Sequence, residues 1–205
     1  MGRRFESPAG KGIYLSLVLR VPVPASKALG VTVGAAVAVA RAVQKLCGIE
    51  LGIKWVNDLY YQGKKVCGML LEMNADEQSV HDVVAGIGIN VHQTAFEGEI
   101  AKTASSLDLL TGRRVCRADV VRAFLEEYEA VDELAQKGGE ALMAVYRRHS
   151  ATLGQRVQVI SATGSFTGTA KAVTDSGSLI VLDDDGRERE VLAADVSVRG
   201  LMGYA

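Results

Sequence analysis

Lys54, Asn57, Asp58, Lys64 and Lys65 fall within one short stretch, and Gly68 lies just beyond it. Strong cations, a carboxylate and an amide beside a glycine-opened strand are chemistry for holding a phosphate-bearing ligand. An Asn-Asp pair is often a turn cap. It could also hold Mg²⁺, which prefers oxygen ligands and bridges to substrate phosphates. Neighbouring residues on a strand face opposite sides, so at most one of Lys64 and Lys65 faces the ligand. Two lysines on a solvated hairpin are the ordinary alternative. Further on, Gly86 and Gly88 are two apart and face the same side of a strand. Glycines inside strands mark close approach by a ligand or another backbone, or else a bulge. Here they would leave a trench over the sheet, and Asn90 could add an amide oxygen beside it. Gly86-Ile87-Gly88 is no dinucleotide fingerprint, because the third glycine and the following helix are missing. At the N-terminus, Gly2-Arg3-Arg4 offers backbone N–H groups and guanidinium forks to an anion. A frayed basic terminus is the competing reading.

These residues need a sheet to position them. Residues 54–60 and 64–72 read as two strands joined at Gln62-Gly63, and residues 80–91 as a third. Residues 12–22 form another, ended by Pro22 and Pro24. Ser26 caps a helix over 27–46, with Gly48 as its stop. Residues 92–102 read as a loop, and 103–110 as a short Ser- and Leu-rich segment. The spacing of Val120, Val121, Phe124, Leu125, Tyr128 and Val131 predicts a helix over 118–136, and a further helix spans 139–151. The composition then changes to short strands at 156–161, 165–173, 178–182, 188–192 and 196–199. Turn signals at Asp175-Ser176-Gly177 and Asp184-Asp185-Gly186 punctuate them, the pattern of a small barrel. The boundary is expected within 152–155, giving units 1–153 and 154–205.

Bulk properties narrow the function. The chain has 205 residues, 48% of them hydrophobic, enough for one ordinary domain and a small second one. A net charge of -1 gives no basic excess for nonspecific nucleic-acid binding. Cys47, Cys67 and Cys116 are odd in number and far apart, against a disulfide framework and for a reducing, cytoplasmic home. His81, His92 and His149 are equally scattered, so no permanent metal site is expected. Residues 28–43 are apolar, but Lys27 and Arg41 cut them below the roughly 20 residues of a membrane span. The segment reads as a buried helix, and no membrane association is expected.

Taken in order, Gly2-Arg3-Arg4-Phe5-Glu6-Ser7-Pro8, Ile13-Tyr14-Leu15-Ser16-Leu17, Lys54-Trp55-Val56-Asn57-Asp58-Leu59-Tyr60, Lys65-Val66-Cys67-Gly68-Met69-Leu70-Leu71-Glu72 and Gly86-Ile87-Gly88-Ile89-Asn90-Val91 resemble the catalytic region of biotin–protein ligases. The resemblance covers nearly the whole chain. It implies an α+β fold: a mixed β-sheet flanked by helices, of the class II synthetase-like biotin/lipoate ligase kind, then a small SH3-like β-barrel. It implies joining of biotin to ATP as biotinyl-5′-AMP, with Mg²⁺, and transfer to a lysine on the biotin carrier domain of a carboxylase. It places Lys65 on biotin and the activated carboxyl, with Arg3 as the second catalytic cation. Gly2, Arg3, Arg4, Gly68, Leu70, Gly86 and Gly88 fall around biotin and the adenylate. Lys54, Asn57, Asp58 and Asn90 fall on the ATP side, with Mg²⁺ near Asn57 and Asp58. The resemblance also admits a homodimer. Family motifs upstream of the Gly-Arg loop have no counterpart in these residues, so an N-terminally truncated member is expected. No helix-turn-helix precedes Met1, so no DNA binding is expected of this chain. A lipoate ligase on the related fold, or a non-catalytic remnant that only binds a carrier or a sister subunit, are the alternatives.

Overall fold

The computed structural model describes residues 7–19, 25–75, 80–98, 100–136, 139–162, 164–193 and 196–200. Its first sheet comprises β1 (Gly12–Leu19), β2 (Gly52–Lys54), β3 (Asp58–Tyr61), β4 (Lys64–Ala75) and β5 (Val80–Asn90). In space they run β1-β5-β4-β3-β2. Every ladder is antiparallel, and two isolated parallel bridges outside the ladders join Ile53 to Ser150 and Lys65 to Ala104. The helices are α1 (Ala25–Cys47), α2 (Ile100–Thr103), α3 (Leu107–Thr111), α4 (Arg117–Gln136) and α5 (Gly139–His149).

Strand period two decides which face the helices cover. Val83, Ala85, Ile87 and Ile89 of β5 are buried, while Gly86, Gly88 and Asn90 alternate with them on the other face. α1 packs on β4 and β5 and also against α4 and α5. Its middle, including Val37 and Val39, is therefore buried all round, as expected of a helix apolar on every side. Gly34 sets the α1–α4 approach: a Cβ there would lie 3.2 Å from Val131 Cγ1. Among the described residues α1 is one helix long and apolar enough to cross a membrane, over Leu29–Cys47, and most of it is buried against the sheet and helices.

The second sheet contains β6 (Arg156–Ser161), β7 (Gly164–Val173), β8 (Leu179–Asp183), β9 (Glu188–Val191) and β10 (Val196–Gly200), in the order β10-β6-β7-β8-β9 and antiparallel throughout. Its inward side chains, among them Val157, Val159, Ala170, Leu179 and Val181, join the same apolar core as Val37, Leu59 and Ile87 of the first layer. One core therefore runs through both sheets.

Several expectations need correction. Residues 54–60 are not one strand: β2 ends at Lys54, the chain turns through Trp55, Val56 and Asn57, and β3 begins at Asp58. The peptide bond between Trp55 and Val56 is cis. The 92–102 loop turns into α2 at Ile100. Helix α1 begins at Ala25, which puts Ser26 inside its first turn. The Gln62-Gly63 turn is where it was expected: both residues have positive φ, 50° and 78°, the requirement of a type I′ hairpin turn. The end expected at Pro22 and Pro24 lies outside the described residues, as do Gly2, Arg3 and Arg4.

Candidate active site

One transverse row of residues crosses the open face of the first sheet. Cross-strand pairing aligns Tyr14 of β1 with Gly88 of β5, Gly88 with Gly68 of β4, Gly68 with Asp58 of β3, and Asp58 with Lys54 of β2. The adjacent row aligns Ser16, Gly86 and Leu70. Three glycines thus sit together in the middle of the face, flanked by Tyr14 and Ser16 on one side and Asp58 on the other. With no Cβ at these positions the floor is bare backbone, and a flat ligand can lie on it. Leu70 stands 63% exposed beside this floor.

Lys65 closes one end. Its side chain folds back over Gly68, where a Cβ would come within 2.8 Å of both Lys65 Cε and Nζ. The ammonium reaches Asp58 Oδ1 at 2.7 Å. Both partners stay partly solvated, with 39% and 27% of their side chains exposed, so the pair is weak in itself and open to exchange with an incoming ligand. Lys64, its neighbour in the strand, is exposed. Beneath Asp58 and Lys65 lies Cys67, fully buried; burial first, and then the Asp58 charge, push its thiol up, so it stays neutral.

A set of amides and hydroxyls braces this end. Asn57 Nδ2 donates to Met69 O at 2.6 Å, which leaves the oxygen of the same amide as the atom suited to a cation. Asn90 Nδ2 donates to Ser105 O at 3.1 Å, and Gln93 Nε2 donates to Asn90 Oδ1 at 3.1 Å. Ser105 N in turn donates to Lys65 O at 2.9 Å. Asn90 is therefore tied to the backbone of Lys65 through a single residue. Ser106, fully buried, donates to Gln93 O at 2.6 Å and accepts from Leu109 N as the cap of α3. His92 Nδ1 lies 2.8 Å from Asp108 Oδ2, and Asp108 Oδ1 accepts from Val115 N. Burial works against the Asp108 carboxylate, but the Val115 N–H, the His92 ring and the Arg114 charge outweigh it and hold its pKa below the usual range.

Lys54 stands apart from its neighbours in the row. It is 9% exposed, with Nζ 5.3 Å from the centroid of the Tyr60 ring, so its charge rests on an aromatic face. A separate cleft of about 510 Å³ flanks the glycine floor on the β1 side, lined by the 7–10 segment, Tyr14, Arg117 and Val121. Sequence reasoning passed over Tyr14, Gln93 and Ser105 as site residues. The alternation Tyr14, Ser16, Val18 on β1 was the available signal for Tyr14. Gln93 and Ser105 carried none, because they reach Asn90 and Lys65 only through the fold.

Known proteins share the sequence family and the fold. The Biotin/lipoate A/B protein ligase family matches residues 1–90, and the Biotin protein ligase C terminal domain matches residues 152–199. A biotin–[acetyl-CoA-carboxylase] ligase of Mycobacterium tuberculosis is 34% identical, over 95% of this chain and 72% of its own length. The bifunctional ligase/repressor BirA of Bacillus spizizenii is 33% identical over 97% of this chain, which spans only 62% of that protein. Among solved structures, the biotin protein ligase of Aquifex aeolicus superposes with a TM-score of 0.82 at 27% identity, covering 93% of this chain and 83% of that one. The same Aquifex enzyme in complex with biotin and ATP superposes at 0.78. Fold and sequence together define a member of the biotin/lipoate ligase class. Within that class, the chain belongs to the biotin protein ligase family.

Proposed function

We propose that this chain joins biotin to ATP as biotinyl-5′-AMP and passes the biotinyl group to a lysine of a biotin carrier domain. The observation that carries the reading is the Lys65 ammonium, folded over Gly68 onto Asp58 at the end of the Gly68–Gly86–Gly88 floor. In the first step a carboxylate oxygen of biotin attacks the α-phosphorus of ATP, and pyrophosphate leaves. Two anions must approach, so a preorganised cation at the meeting point lowers the barrier. Lys65 takes that role in this reading, its charge moving from Asp58 to the biotin carboxylate and the α-phosphate. Asp58 and the Asn57 oxygen are two oxygen donors, a set that suits Mg²⁺ with its remaining positions on water and phosphates. When bound there, the ion would neutralise phosphate charge. In the second step the carrier's lysine amine attacks the acyl carbon, and AMP leaves with the bonding pair. Asn90, with Gln93 and Ser105, acts in this reading by holding the Lys65 strand. The resemblance assigns Gly2, Arg3 and Arg4, which lie outside the described residues, to the biotin and adenylate side. The free cysteines Cys47, Cys67 and Cys116 favour a cytoplasmic site of action.

The test is incubation of the purified chain with biotin, Mg-ATP and a biotin carrier domain, followed by mass measurement of the carrier. A gain of one biotinyl group that requires ATP is the expected result. No gain, together with no biotin-dependent exchange of pyrophosphate into ATP, would make the chain a non-catalytic relative. Substituting lipoate for biotin should give no product.

A further inference from the structure

The turn between β2 and β3 carries Asn57 and Asp58, yet most of its fastenings come from elsewhere in the chain. Trp55 N donates to Thr152 Oγ1 at 2.8 Å, and Trp55 Nε1 donates to Gly177 O at 2.9 Å, both in buried surroundings. Tyr146 Oη donates to Val56 O at 3.4 Å. Thr152 lies in the link into the second sheet, and Gly177 in the β7–β8 turn of that sheet. That turn is itself braced: Gly177 N donates to Thr174 O, Thr174 N donates to Ser178 O, and Ser178 N donates to Thr174 Oγ1. It is also pinned from the side, where Arg147 Nε donates to Val173 O at 2.7 Å and the Arg147 guanidinium pairs with Asp175. Gly177, with φ of 88°, sits so close to α1 that a Cβ would meet Leu29 Cδ2 at 2.5 Å.

We propose that the C-terminal sheet positions the Asn57–Asp58 side of the active site, with Thr152 and Gly177 as positioning residues acting through Trp55. This rests on the adenylation reading above. Apolar contact alone would hold the two sheets together. Two buried hydrogen bonds to one side chain and its own backbone N–H also set its angle, and Trp55 is covalently two residues from Asn57. Asp58 follows, and its carboxylate meets the Lys65 ammonium at 2.7 Å. Small displacements of groups that must align in a transition state cost large factors in rate. A loosened Trp55 therefore weakens the nucleotide side and leaves the glycine floor, built by β4 and β5, intact.

Two full-length variants test this. Thr152→Val keeps the volume and removes the acceptor for Trp55 N; Trp55→Phe keeps an aromatic ring and removes the donor to Gly177 O. In each, kcat for adenylate formation should fall about tenfold and KM for ATP should rise, with KM for biotin unchanged. Thr152→Ser, which retains the hydroxyl, should restore the parent values. Amide hydrogen exchange supplies a readout independent of activity. Peptides covering 54–61 should exchange faster in Thr152→Val, while those of β4, β5 and β6 keep the parent's protection. Parent-like exchange over 54–61 would overturn the proposal. So would loosening spread evenly over both sheets, which is the mark of mere cohesion. If the parent itself forms no adenylate, the functional reading fails and the exchange pattern alone decides the positioning role.

Discussion

The chemistry rests on Lys65 and on the absence of a side chain at Gly68, and the two make separable predictions. Lys65 is exposed enough that its pair with Asp58 contributes about 1 kcal/mol or less to stability. Lys65→Ala should therefore melt near the parent temperature yet lose adenylate formation by ~100-fold or more. A calorimetric scan beside a pyrophosphate-exchange assay checks both halves, and parent-rate exchange would remove Lys65 from the reaction. Gly68→Ala works from the opposite direction. The atoms nearest an added Cβ are the flexible end of Lys65 at 2.8 Å and Asp58 Oδ1 at 3.3 Å, all of them side-chain atoms. The fold should accept it, while the ammonium is displaced from Asp58 and the floor is raised under the ligand. Titration calorimetry should show weakened biotin binding at unchanged melting temperature.

At the scale of elements, the loop from Asn90 into α3 does more than connect. It delivers Ser105 to the backbone of Lys65 and caps α3 with Ser106, and it anchors α3 through Asp108 to His92 and Val115. The Asp108 carboxylate has its pKa held below the unfolded value, so the folded state keeps it ionised where the unfolded chain takes up a proton. Its stabilising contribution is complete above the unfolded value of about 3.9 and disappears as pH falls through the lower folded value. Asp108→Asn should remove this component. The melting temperature of the variant should then fall less steeply with acid than the parent's as pH drops below about 4. Parallel curves would show that the carboxylate is not what couples this loop to pH.

For the whole molecule, the continuous core joining both sheets predicts joint unfolding. Trp55 is the only tryptophan, and it lies between the two sheets with its indole on Gly177. Its fluorescence therefore reports on the contact between the sheets, while far-ultraviolet circular dichroism reports on both sheets and the helices. The two melting curves should coincide in a single transition. An earlier fluorescence transition would mean that the sheets separate before either melts, and the core would then be two cores in contact.

Period-two alternation in β5, the positive-φ turn at Gln62-Gly63 and the apolar spacing along α4 are local properties, and the sequence alone determined them. The same holds for Gly86 and Gly88 within the glycine floor: residues two apart on a strand share a face whatever surrounds them. Tertiary structure decided the rest. The full row from Tyr14 to Lys54 needs β1, separated from β5 in the chain by α1, to pair beside it, and a break at Trp55 and a bulge after Leu59 to bring Lys54, Asp58 and Gly68 level; no spacing in the sequence encodes that register. The break at Trp55 overrode a run that reads as a strand, because Thr152, Tyr146 and Gly177 supply the turn's hydrogen bonds from far along the chain. Lys54 and Lys65 are the same residue type in one short stretch. Only packing separates them: Lys54 is buried against Tyr60, and Lys65 is left at the surface over a glycine, where its charge can be given to a ligand.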